Sequence, residues 1–159
     1  MAAYEEPTGL VRVRDSLLAS KYLLSHMPCD FIYKSWYKRS GKTFYVCSLN
    51  DPIVCILSQP VWMESLSLYL PEEEDKESGL YREFNFTVEI TADREANIRG
   101  KDKGWHMVAN YTDRDQTRKG DVDILFEEPT VVNAFRVTGT RIVNPKTPKD
   151  KDFAVEIRI

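Results

Sequence analysis

The residues able to carry acid–base, nucleophilic or metal chemistry are few and scattered. The chain has two histidines, His26 and His106, and three cysteines, Cys29, Cys47 and Cys55. Neither histidine lies in an H-E-x-x-H or cysteine–histidine spacing, so nothing indicates zinc. No serine occupies a G-x-S-x-G elbow. The stretch Gly100-Lys101-Asp102-Lys103-Gly104 lacks the spacing of a phosphate loop and reads as a hairpin connection before Trp105. The run Glu72-Glu73-Glu74-Asp75 offers the hard oxygen ligands that calcium takes, but its spacing matches no calcium loop. A solvated loop able to dock a basic partner is the plainer reading. A carboxylate pair of the glycosidase kind would assemble only in the fold and leaves no local signature. No catalytic residue, metal or cofactor is therefore expected.

Binding has more support. Residues 33–42 interleave aromatic and basic side chains, namely Tyr33, Trp36, Tyr37, Lys38, Arg39 and Lys42. Tryptophan, tyrosine and arginine dominate binding hot spots because they bury much area at a small entropic cost. Trp36 can equally be a core residue with the lysines facing solvent, and both readings stay open. With Glu73 and Glu74 from the acidic run and Arg114 from a turn-rich segment, these residues form the candidate partner-binding set. The same types could stack on nucleic-acid bases, but a formal net charge of -3 argues against that partner. Trp62 and Trp105 have neighbours that alternate like buried strands and are expected in the core.

The elements that must hold these residues are strands. Residues 43–47, 53–57, 62–70, 84–90, 105–111, 121–126, 134–140 and 153–159 are β-rich or alternate with period two. Leu66, Leu68 and Leu70 share one face of their strand. Phe84, Phe86, Val88 and Ile90 repeat the pattern, as do Phe153, Val155 and Ile157. Turn-rich segments at 71–79, 93–104, 113–120 and 144–150 separate the runs. The one helix candidate starts at Asp15 or Ser16, carries Leu17, Leu18 and Tyr22 at helical spacing, and ends before Pro28. Short alternating strands without interleaved helices indicate an antiparallel sandwich or barrel. Glu156 and Arg158 would block edge pairing by the last strand.

With 159 residues the chain is one domain's worth, and 42% hydrophobic with 30% charged residues is an ordinary globular balance. Glu5 and Glu6 stand where a secretory signal would be basic, and no apolar run nears the roughly 18 residues that cross a bilayer. An odd cysteine count gives no disulfide framework and suits a reducing compartment. Two N-x-T sequons, at Asn85 and Asn110, read as chance matches.

The order of these features resembles the discoidin family, the coagulation factor V/VIII C-type domains among the galactose-binding-like sandwiches. Ile53 to Pro60 looks like the strand ending in a leucine–polar–proline turn, and Val61 to Leu70 like the strand that follows. Phe84 to Asp93 and Trp105-His106-Met107-Val108-Ala109 resemble two further family elements. Arg136-Val137-Thr138-Gly139-Thr140 is similar to a strand of intracellular members attached to BTB proteins. The resemblance implies an all-β, antiparallel, jelly-roll-like β-sandwich of about eight strands over residues 30–159, with binding loops clustered at one end. Residues 1–29 would form an N-terminal extension with the short helix. The disulfide that staples extracellular members cannot form, since no cysteine follows Cys55.

These readings lead to a non-catalytic, intracellular (cytoplasmic or nuclear) module that binds a protein partner, as within a multi-subunit complex, through loops at one end. The alternative is a glycan- or lipid-binding module, which would show exposed aromatics for stacking on sugar rings. Nucleic acid and membrane are not expected as partners, and the oligomeric state is left open.

Overall fold

The computed structural model describes residues 4–5, 10–12, 29–33, 35–93, 104–144 and 152–158, with side chains over 39–93, 104–144 and 152–157. The helix expected between Asp15 and Pro28 lies outside them. Among the described residues every regular element is a strand: β1 (Tyr4–Glu5), β2 (Leu10–Arg12), β3 (Cys29–Tyr33), β4 (Ser35–Arg39), β5 (Lys42–Ser48), β6 (Ile53–Leu70), β7 (Glu83–Thr91), β8 (His106–Tyr111), β9 (Gly120–Val143) and β10 (Asp152–Arg158). All pairings are antiparallel.

The eight expected runs fall on six strands, because two pairs of runs are continuous. Residues 53–57 and 62–70 are both β6; residues 121–126 and 134–140 are both β9. Pro60 and Pro129 lie between these runs, and proline cannot donate to a ladder. The structure resolves this with two bulges. Between the pairs Ile56↔Ala134 and Val61↔Val132, residues 57–60 of β6 oppose Asn133 alone. Between Met63↔Thr130 and Ser65↔Leu125, residues 126–129 of β9 oppose Glu64 alone. Each proline thus sits in a bulge, where a missing N–H costs no ladder bond.

At these bulges the β6–β9 pair turns from one layer of a sandwich into the other. In the first layer, the beginning of β6 lies between β3 and the second half of β9, which continues to β7 and then β8. In the second layer, the end of β6 lies between the first half of β9 and β10, which continues to β5 and β4. Strands that switch sheets through bulges form the corners of such packings. Residues 156–158, which carry the expected edge charges Glu156 and Arg158, pair with Ser67–Tyr69 of β6, while the ladder with β5 covers residues 152–155.

The core lies between the layers. Phe84 and Phe86 of β7 meet Phe153 of β10 at ring-centroid distances of 5.6 and 5.9 Å, although β7 and β10 share no ladder. Leu66, Leu68 and Leu70, with Phe84, Phe86, Val88 and Ile90, are buried as their period-two spacing requires. Phe153, Val155 and Ile157 close the core from β10. Cys47 and Cys55 are buried in the same core.

The β4–β5 turn shows how local sequence sets register. Arg39 pairs with Lys42 across a two-residue loop, Ser40-Gly41, in which both residues have positive φ (52° and 77°). That is the type I′ geometry whose twist matches paired strands, and it places glycine where a side chain is least welcome.

Gly139 of β9 has a different reason. A Cβ built there would stand 2.3 Å from Cγ of Phe153. Gly139→Ala is therefore expected to lower stability by about 1–3 kcal/mol, the usual range for overpacking. Urea unfolding would show a lower midpoint at unchanged slope, and an unchanged midpoint would mean that Phe153 shifts without cost.

Candidate functional site

The expected binding set is only partly brought together. Tyr33, Trp36, Tyr37 and Lys38 lie on β3 and β4, but their side chains are outside the described ones. Arg39 Nη1 donates to Glu73 Oε1 at 2.7 Å, so a basic and an acidic member of the set satisfy each other. Glu73 also faces Arg82, 93% buried as a residue, whose backbone N–H donates to the Glu73 carbonyl at 2.8 Å. Glu74 is exposed and bridges to Tyr81, which folds residues 73–82 into a small hairpin. Lys42 lies over the Tyr69 ring at 4.1 Å. Arg114 is exposed in the turn after β8, and that turn is tied down by Asn85, whose Nδ2 donates to the Asp113 carbonyl at 2.8 Å. Within the set, Arg39 and Glu73 are thus paired with each other, while Glu74 and Arg114 are exposed.

A different place is open. Where β9 bends, its residues 125–128 and Thr130 face Ile90 at the end of β7 and His106, Met107 and Val108 at the start of β8, enclosing a cleft of about 220 Å³. Met107 and Leu125 are exposed at 44% and 78%, giving the cleft apolar walls beside Glu127, Glu128, His106 and Thr130. The volume is below the roughly 300–1,000 Å³ of sites for drug-sized ligands, so it suits one small unit or end group. The cleft lies at the opposite end of β7 from Asn85 and the loops.

Trp62 stands at the same bend. It was expected in the core, yet it is 67% exposed. The reason is the second bulge: Met63 takes the inward position at 4% exposure, and Trp62 is turned outward beside its register partner Val131, itself 38% exposed. Val131 follows Thr130 of the cleft wall. Other aromatic rings at the surface carry a cation: Lys119 lies 4.3 Å from Tyr81, Arg118 4.6 Å from Tyr111, and Arg136 4.4 Å from Trp105. Among the described residues none is placed over Trp62. Trp105, also expected in the core, is half-buried under that arginine. Arg136 in turn forms a two-pronged pair with Glu89, Nε to Oε1 at 2.8 Å and Nη2 to Oε2 at 3.0 Å.

The bend was not singled out by sequence reasoning. Pro60 and Pro129, each close to glutamates, were the available signal.

The two ion pairs should differ in weight. Arg39→Ala is expected to cost under about 1 kcal/mol, since Arg39 is half exposed and Glu73 keeps Arg82. Arg136→Met should cost about 3 kcal/mol, because it strands the Glu89 carboxylate, 17% exposed, against the sheet. Denaturant midpoints of the two variants test this, and equal losses would contradict the assignment.

No family model matches the chain, and no curated protein matches it. Among solved structures, the chain is similar to the CBM32 of AlyQ in complex with 4,5-unsaturated mannuronic acid: 12% identity, TM-score 0.47, covering 72% of this chain and 73% of that one. It is also similar to chitosan-binding module 1 of a chitosanase/glucanase from Paenibacillus sp. IK-5, at 20% identity and TM-score 0.45, covering 76% and 80%. The family 32 CBM of Clostridium perfringens NanJ, in complex with galactose, aligns at 9% identity and TM-score 0.45 over 73% and 76%.

Proposed function

We propose that the chain is a non-catalytic binding module that holds a saccharide against Trp62 at the bend of β6 and β9. The uncovered indole carries this reading. A ring exposed at 67%, with no cation over it among the described residues, costs apolar hydration and adds little to the core. A pyranose presents a face of C–H groups that matches an indole face, and a rim of hydroxyls that need acceptors. Glu127, Glu128 and Thr130, beside the ring's strand pair, supply acceptors of that kind. An exposed aromatic platform is the feature that the glycan-binding reading requires.

A protein partner is the second reading. It is favoured by Leu125 and Val131, aliphatic side chains that a sugar does not require, and it accords with the resemblance to intracellular discoidin domains. In either case the loop set around Arg39 and Glu73 positions the fold rather than meeting the partner.

The test is a glycan array followed by titration of the best ligand against wild type, Trp62→Ala and Trp62→Phe. The alanine variant should lose about 2 kcal/mol of binding, near thirtyfold in Kd, with the phenylalanine variant between. Its melting temperature should hold, because the ring packs into nothing. If no saccharide binds, or the alanine variant binds like wild type, the glycan reading is wrong, and pulldown with the same variants decides for a protein partner.

A further inference from the structure

We infer that folding and N-glycosylation exclude one another at Asn85, so that the protein matures in a compartment where N-x-T sequons are not read. Asn85-Phe86-Thr87 is a complete acceptor sequence. In the fold Asn85 is 0% exposed, on β7 where the register shifts against β9 between Asn85 and Phe86. Its side-chain amide has two N–H groups, and both are used. Nδ2 donates to the Tyr111 carbonyl at 2.9 Å and to the Asp113 carbonyl at 2.8 Å. These bonds anchor the turn after β8, and Arg141 Nη1 lies 3.4 Å from Oδ1.

Glycosylation would act on that same nitrogen. An oligosaccharide passes from a lipid pyrophosphate donor to Nδ2: the sugar–phosphate bond breaks, a C–N bond forms, the lipid pyrophosphate leaves and the amide gives up one proton. One N–H then remains where two part-buried bonds need donors, and one of the two anchoring bonds to the turn is lost. The glycan itself has no space at a residue with no accessible surface. Because the transfer acts on the chain as it is translocated, before folding can hide the sequon, burial does not protect Asn85. The modification instead prevents the fold.

The second sequon supplies the internal contrast. Asn110 is exposed on β8, which among the described residues pairs with β7 alone, and the Thr112 hydroxyl donates to its Oδ1 at 2.6 Å. A glycan at Asn110 would stand in solvent. The inference is therefore about one site, not about glycosylation in general.

The experiment directs the full chain into the secretory route of a vertebrate cell line by an added signal peptide. Thr112→Val keeps only the Asn85 sequon, and Thr87→Val keeps only that of Asn110 while preserving a β-branched side chain on β7. Both variants, made in bacterial cytoplasm, are first shown to melt with wild type. The Thr87→Val chain should be secreted, folded and carrying one glycosidase-sensitive glycan. The Thr112→Val chain should be retained in the cell with its glycan on Asn85. Secretion of folded Thr112→Val chain, with or without a glycan, overturns the inference. So does its retention without a glycan, or equal retention of both variants, since Asn85 would then not be the cause.

Discussion

The structure depends on one long antiparallel pairing, that of Ile53–Leu70 with Gly120–Val143. Both strands belong to both layers, so the sandwich is a single ladder folded on itself at two bulges. Everything else attaches to this pair. The first layer extends from it to β7 and β8, the second to β10 and β5, and the core fills the space the fold encloses. The two bulges are complementary, four residues against one on each strand in turn, so the strands bend together and their ladders resume in register beyond.

Much of this was legible in the amino-acid sequence, for reasons that can be named. Half-buried strands alternate, so Leu66, Leu68 and Leu70, and Phe84, Phe86, Val88 and Ile90, declared their inward faces. Continuity across the bends was not legible, because Pro60 and Pro129 look alike whether a strand ends or bulges. Trp62 was misassigned for the same cause. Alternation counted through Trp62 puts it inside, but the neighbouring bulge reverses which of Trp62 and Met63 points inward. The pairing within the binding set was not legible for another reason. Charge types can be read from a sequence, but whether Arg39 faces solvent or Glu73 depends on a contact 34 residues away.

The loop end and the bend divide the labour differently from what residue types alone suggest. At the loops, arginines and carboxylates are matched, and cations lie over Tyr69, Tyr81 and Tyr111. Such matching holds loops in place. At the bend, an indole stands bare beside glutamates that form no ion pair among the described residues. Strand backbones rather than loops carry these groups, so their geometry is held by the ladders on either side.

The closing position of β10 has a consequence for how the chain is made. Phe153 sits against Gly139, Phe84 and Phe86, and β10 bridges β5 to β6. No ribosome-bound chain shorter than residue 158 can complete that bridge. Until then the inner faces of β6 and β7 lack their cover, and their pairing partners lie far apart in sequence. Folding of the sandwich must therefore wait for that strand, and shorter nascent chains will be substrates for holdase chaperones during the interval.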